Sequence, residues 1–162
     1  MNRPQAVAVG LGTASVLLLL GALGFQYLGR LPPCELCMWQ RWPHVAAAVV
    51  GLGGPLLVRF RLVERGAMWA IAALTALLVA VSGGVGVYHA GIEWHWWPGP
   101  QSCTGAAFHY TGGGLDLNAP VVMCDRAAWR LFGLSLAGYN ALFSFALAGI
   151  AAAMLARSGR KP

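Results

Sequence analysis

The sequence predicts an all-α membrane protein, a four-transmembrane-helix bundle with two loops on its outer face. Three observations lead there. The chain has 162 residues, 58% of them hydrophobic and 10% charged, whereas about 25% are charged in an ordinary soluble domain. Four apolar stretches reach the ~20 helical residues that a bilayer crossing takes. The basic residues sit in short segments between those stretches, so the net charge of +6 marks no face for nucleic acid. Too little polar sequence remains for a separate soluble domain, and residues 1–162 read as one membrane domain.

The first span is expected over residues 6–27, around VLLLLGALGF. It is longer than a signal-peptide core, and LGRLPPC offers no small-x-small cleavage site, so it reads as a retained helix. The second span is expected over residues 36–58. Its uncharged part, 45–58, is short. It reaches full length only with Arg41 and His44 inside the helix near one surface, where Arg41 can snorkel to the headgroups. Pro43 is expected to tilt or kink its start. The third and fourth spans are expected over residues 67–89 and 132–156.

The outer loops then cover residues 28–35, stiffened by Pro32-Pro33, and 91–130. The long loop contains WHWWPGPQSC, TGGG and NAP, which predicts irregular, mobile chain. A run at 115–123 has a pattern suited to the membrane surface but is too brief to assign. Trp94, Trp96 and Trp97 fit an interfacial belt that anchors the chain. The many glycines within the spans suit close helix packing in lipid.

Orientation follows from Lys and Arg. Four spans put both termini on one side. Arg3, Arg59, Arg61, Arg65, Arg157, Arg160 and Lys161 fall there, against Arg30, Arg41, Arg126 and Arg130 on the other. Both termini are therefore expected to be cytoplasmic, and all four cysteines to face outwards. Disulfides persist on that side, as in the bacterial periplasm, and not in the cytosol.

Cys34 and Cys37 have the C-x-x-C spacing of dithiol redox centres. If Cys37 starts the second helix, its thiolate faces the helix N-terminus, where unpaired N–H groups favour an anion. Arg41, four residues on, lies on the same helical face, and its fixed charge favours that thiolate. Cys103 and Cys124 lie twenty-one positions apart in the long loop. They read either as a structural staple of about 3 kcal/mol or as a shuttle between a soluble partner and the C-x-x-C. No metal site is expected, since zinc favours four thiolates in two short-spaced knuckles and only one such pair exists. Met38 excludes the C-x-x-C-H attachment of haem. His89 ends the third span at about the depth of Arg41. It is either an interfacial filler or, with Arg41, a donor to the carbonyl oxygens of a quinone whose ring lies near Cys37. His44 is a weaker candidate, and Met38 and Gln40 line the same place.

These motifs resemble one family over nearly the whole chain. PCELCMWQR before the second span, YHAGIE after the third, GPQSCTG and VVMCDRAAW in the long loop, and LFGLSLAGYN into the fourth are similar to the DsbB family of bacterial disulfide bond formation proteins. The resemblance implies an inner-membrane enzyme that reoxidises a periplasmic, thioredoxin-fold DsbA-like protein and passes the electrons to membrane quinone, ubiquinone or menaquinone. It implies that Cys103 is attacked by the reduced partner and that Cys124 is its mate. Cys34 exchanges with the loop pair, through a transient Cys34–Cys124 bridge, and Cys37 meets the quinone. Arg41 and His89 match the quinone-site residues. Gln40 departs from members that carry an acid there. Two other readings stand beside this one. A membrane thiol reductant would need an inner electron source, and no cysteine lies on that side. A non-enzymatic bundle stapled by two disulfides would keep them oxidised whatever the quinone supply.

Overall fold

A computed structural model describes residues 2–104 and 122–158. Four long helices dominate it: α1 (Arg3–Tyr27), α2 (Glu35–Arg59), α3 (Met68–Glu93) and α4 (Leu136–Ser158). A single 3-10 turn, Arg65–Ala67, leads into α3. Among the described residues α1, α3 with its leading turn, and α4 are long and apolar enough to cross a membrane. α2 matches them in length but carries Glu35, Gln40, Arg41, Pro43 and His44 in its first half. It runs unbroken through Pro43 and Pro55.

α1 packs on α2, α2 on α3, α3 on α4, and α4 back on α1. Arg3 donates to the Arg157 carbonyl at 3.3 Å, so the start of α1 and the end of α4 meet at one end of the bundle. The cysteines gather at the other end, where α2 begins and α3 stops. The surface is apolar, with Leu17, Val49, Leu77 and Ile150 each exposed. The interior is small or polar, with Ala8, Ala47, Ala72, Ser15, Thr75, Ser82 and Ser144 buried. That inversion suits lipid, where helices associate by close packing and shared hydrogen bonds rather than by hydrophobic exclusion.

Gly51 shows how close the helices come. A Cβ there would lie 2.5 Å from the Ala8 carbonyl oxygen of α1, whereas one at Gly53, on the outward side of α2, would meet nothing within 4 Å. Gly51→Ala is therefore expected to cost about 1–3 kcal/mol by overpacking. Gly53→Ala should be neutral or gain up to about 1 kcal/mol of helix propensity. Unfolding of the detergent-solubilised variants checks both.

Two expected boundaries shift. α3 continues one turn past residue 89 to Glu93, so the long loop begins later than residue 91. The fourth helix starts at Leu136 rather than residue 132. The intervening residues form a small antiparallel hairpin of β1 (Arg130–Leu131) and β2 (Leu134–Ser135), with Arg130 opposite Ser135. Phe132 and Gly133 turn it with φ of 48° and 82°. Two positive φ values in a row make the tight hairpin turn that a right-twisted pair of strands favours, and only glycine takes that region freely. The run at 115–123 lies, up to residue 121, outside the described residues.

Candidate active site

α2 begins at the C-x-x-C. Cys34 is the N-cap, in extended conformation, and its Sγ accepts from the Cys37 N–H at 3.2 Å. The spacing of three is the spacing from an N-cap to the third helical residue, so the motif closes the first turn. Cys37 is the third residue of the helix, within its first turn. Its partner caps the helix, and the helix N–H holds the Cys34 sulfur. The two sulfurs are free and 2.6 Å apart. The hydrogen bond with Cys37, and then burial, push the Cys34 thiol up from its ordinary value.

Cys103 and Cys124 form a disulfide with Cα atoms 5.3 Å apart. The Cys124 N–H donates to the Cys103 carbonyl at 2.7 Å. The bridge does not stand off in solvent. Cys124 is fully buried and Cys103 is 7% exposed. Both belong to one buried cluster with Cys34, Leu36 and Ile92, against which Cys37 and Val122 pack. The second pair thus lies docked on the first.

Two cavities flank the C-x-x-C, and Cys37 lines both. The larger, about 420 Å³, is walled by Leu18, Phe25 and Gln26 of α1, by Arg41 of α2, and by Trp129 and Phe143. Arg41 Nη1 donates to Gln26 Oε1 at 2.5 Å, and Nη2 to the Ala22 carbonyl at 3.4 Å. Among the described residues no carboxylate lies within ion-pair distance of this guanidinium, and the one ion pair joins His89 to Glu93. The smaller cavity, about 310 Å³, is lined by Cys34, Cys37, His89, Glu93, Met123 and Arg126. His89 therefore sits on the Cys34 side of the dithiol and Arg41 on the Cys37 side. They do not flank one shared space as expected. His89 Nε2 is 3.6 Å from Cys34 Sγ.

A buried hydrogen-bond network fixes that histidine. Asn140 Nδ2 donates to the Ser82 carbonyl at 3.1 Å and to Gln40 Oε1 at 2.9 Å. Gln40 Nε2 donates to the Leu36 carbonyl at 3.3 Å and to His89 Nδ1 at 2.8 Å. Backbone carbonyls only accept, so they orient both amides. His89 Nδ1 must then accept, which leaves the proton on Nε2, facing Cys34. On the far side His44 Nε2 donates to Asn140 Oδ1 at 3.0 Å, and Ser15 Oγ contacts His44 Nδ1 at 3.2 Å. His44 and Gln40 are thus buried scaffold as well as lining. Gln26, Ser82, Glu93 and Asn140 escaped the sequence reading. Asn140, an amide within an apolar run, and Glu93, one turn after His89, carried the only signals.

The family model "Disulfide bond formation protein DsbB" matches residues 4–154. A Burkholderia thailandensis protein named disulfide bond formation protein B is 29% identical over 99% of this chain and 95% of its own length. A Verminephrobacter eiseniae protein of the same name is 30% identical over 98% of this chain and 90% of its own. One from Aromatoleum aromaticum is 29% identical over 85% and 86%. No solved structure matches the chain. Because the match runs from the first helix nearly to the end of the last and takes in both cysteine pairs, the chain belongs to the DsbB family.

Proposed function

We propose that this chain is an inner-membrane thiol oxidase of four spans. It reoxidises a periplasmic DsbA-like thioredoxin-fold protein and passes the electrons to membrane quinone, ubiquinone or menaquinone. α2 is the fourth span, shielded by α1 and α3, with its polar first half turned to the bundle and the outer surface. Both termini are cytoplasmic and the cysteines periplasmic, in keeping with the basic residues near the end where the termini meet. The observation that carries the reading is the docking of the Cys103–Cys124 disulfide into one buried cluster with Cys34, beside free Cys37.

The order of exchange is the one the family resemblance implies, supported by the burial of Cys124 beside Cys34 with Cys103 the more exposed of the pair. The reduced partner's thiolate attacks Cys103, and Cys124 leaves. Cys124 attacks Cys34 of the oxidised C-x-x-C, and Cys37 leaves as a thiolate with the Arg41 charge one turn deeper. The 420 Å³ cavity fits a quinone: its walls are largely apolar, it reaches Cys37, and Arg41 offers donors that no carboxylate among the described residues occupies. When bound, the quinone supplies the two-electron oxidant. Arg41 and Gln26 would hold its head near Cys37, whereas His89 lines the other cavity beside Cys34.

Thiol trapping in membranes tests the direction of flow. Without quinone both pairs are expected to accumulate reduced, and added quinone should reoxidise them together with a reduced client. Pairs that stay oxidised without quinone would mark the two bridges as structural staples and end this reading.

A further inference from the structure

The backbone of Cys124 is held on two sides. Its N–H donates to the Cys103 carbonyl at 2.7 Å, and its own carbonyl faces the His89 side chain. Nδ1 of that ring accepts from Gln40 at 2.8 Å, so the donor towards Cys124 is Nε2. The same Nε2 lies 3.6 Å from Cys34 Sγ. One N–H therefore sits between the two cysteines that must exchange. A chain of hydrogen bonds runs from Ser82 through Asn140 and Gln40 to His89 and ends on the Cys124 backbone. His89 is 3% exposed, and the close packing around it leaves the ring little room to swing away. The chain after Cys124 is clasped separately. Arg130 Nη2 donates to the Glu93 carbonyl at 3.5 Å, and the Ser135 side chain meets the Glu93 carboxyl. The last turn of α3 thus grips the outer segment at two points, and the His89 point is the one at a cysteine.

We propose that His89 is a positioning residue for the exchange between Cys124 and Cys34, holding Cys124 in place once the client has taken Cys103. This rests on the exchange order given above. In the first step the client thiolate attacks Cys103 Sγ. The client–Cys103 bond forms, the Cys103–Cys124 bond breaks, and its electron pair goes to Cys124. Cys124 has then lost its covalent tie, and its N–H contact depends on a residue bonded to the client. The carbonyl contact does not, because His89 is anchored by α2 and α4. In the second step the Cys124 thiolate attacks Cys34 Sγ. The Cys34–Cys124 bond forms, the Cys34–Cys37 bond breaks, and its electron pair goes to Cys37. Each step exchanges one disulfide bond for another, and His89 keeps its Nε2 proton throughout. A nucleophile about 1 Å out of place can lose roughly 100-fold in rate, so a fixed backbone at Cys124 matters to the second step.

The test uses full-length protein, oxidised at both pairs and freed of quinone. It is mixed with glutathione, a monothiol that opens the loop bridge, then quenched in acid and alkylated. The peptides cross-linked through Cys34 and Cys124 are resolved by mass. In His89→Leu the cross-link is expected to form about 10–100-fold more slowly. His89→Gln keeps an N–H donor and should recover part of the rate. Gln40→Leu frees Nδ1, lets the ring turn, and should fall between His89→Leu and native. A second arm follows direct reduction of the Cys34–Cys37 disulfide by dithiothreitol in a Cys124→Ala background, where no attacking cysteine remains to be placed. Adding His89→Leu there should slow the reaction far less than it slows the cross-link. Equal slowing in both arms would mean that His89 acts on Cys34 itself, and it overturns this inference alone. So does a cross-link that forms at the native rate in His89→Leu, or a His89→Gln no faster than His89→Leu. If His89→Leu does not fold, a native rate in Gln40→Leu overturns it. A native chain that never forms the cross-link overturns the exchange order as well.

Discussion

Cys124→Ala should abolish client-linked quinone reduction, a loss of about 10³-fold or more, while small-dithiol-linked quinone reduction survives. The reason is topological. Cys124 is fully buried in the cluster that contains Cys34, whereas Cys103 keeps the loop pair's small exposed area. In Cys124→Ala, Cys103 is left as a lone thiol with no disulfide bond for a client thiolate to break, so exchange at the loop cannot start and no second sulfur carries the electrons inwards. Dithiothreitol is small enough to reach Cys34–Cys37 directly once the loop bridge no longer covers it. Its reaction should stay within about tenfold of native. The missing bridge also costs about 3 kcal/mol of loop constraint, so the helical content of the variant must be verified beside the rates. Client turnover at the native level in Cys124→Ala would sink the relay. Loss of the dithiothreitol reaction too would mean that the bridge supports the fold and not the traffic.

The parts of this site that lie close in sequence were legible. C-x-x-C with an arginine four residues on is a local pattern, and one helix turn converts it directly into geometry. The four long helices followed from run length alone, and their ends were off by only a few residues. The fourth start failed because Leu131 and Phe132 are apolar and extend the run. The Phe132-Gly133 turn separates them from α4 by backbone conformation, which hydropathy does not register. The placement of His89 failed for another reason. Depth in the bilayer can be counted from a helix end, but rotation about the helix axis cannot. Here rotation aims His89 at Cys34 and away from Arg41. The network behind it joins residues 40, 82, 89 and 140, on three helices. Such contacts have no sequence period. Glu93 went unremarked because it falls within the expected outer loop of residues 91–130, and the extra helical turn is what brings it inside.

Arg41→Ala is expected to raise the KM for quinone roughly 10–150-fold, the equivalent of one charge-assisted hydrogen bond of about 1.5–3 kcal/mol. The guanidinium donates to Gln26 and Ala22, both on α1, and more weakly to Met38 Sδ at 3.7 Å. Those contacts hold the planar head against the wall of the larger cavity and leave its other donors for a ligand. With no carboxylate near it among the described residues, the charge is open to compensation by an electronegative group that enters. Arg41→Lys keeps a charge but loses the fork, so it should recover only part of the affinity. Gln26→Leu removes the anchor, not the charge. Its defect should be smaller than that of Arg41→Ala and should vanish when both changes are combined, as expected for residues that act through one contact. The removal of positive charge beside Cys37 should also lower the maximal rate in Arg41→Ala, whereas Gln26→Leu should leave that rate near native. Steady-state titration with a soluble quinone analogue separates the two parameters. A KM for Arg41→Ala within twofold of native would move the acceptor site away from this cavity, and with it the reason for a cation one turn below the dithiol.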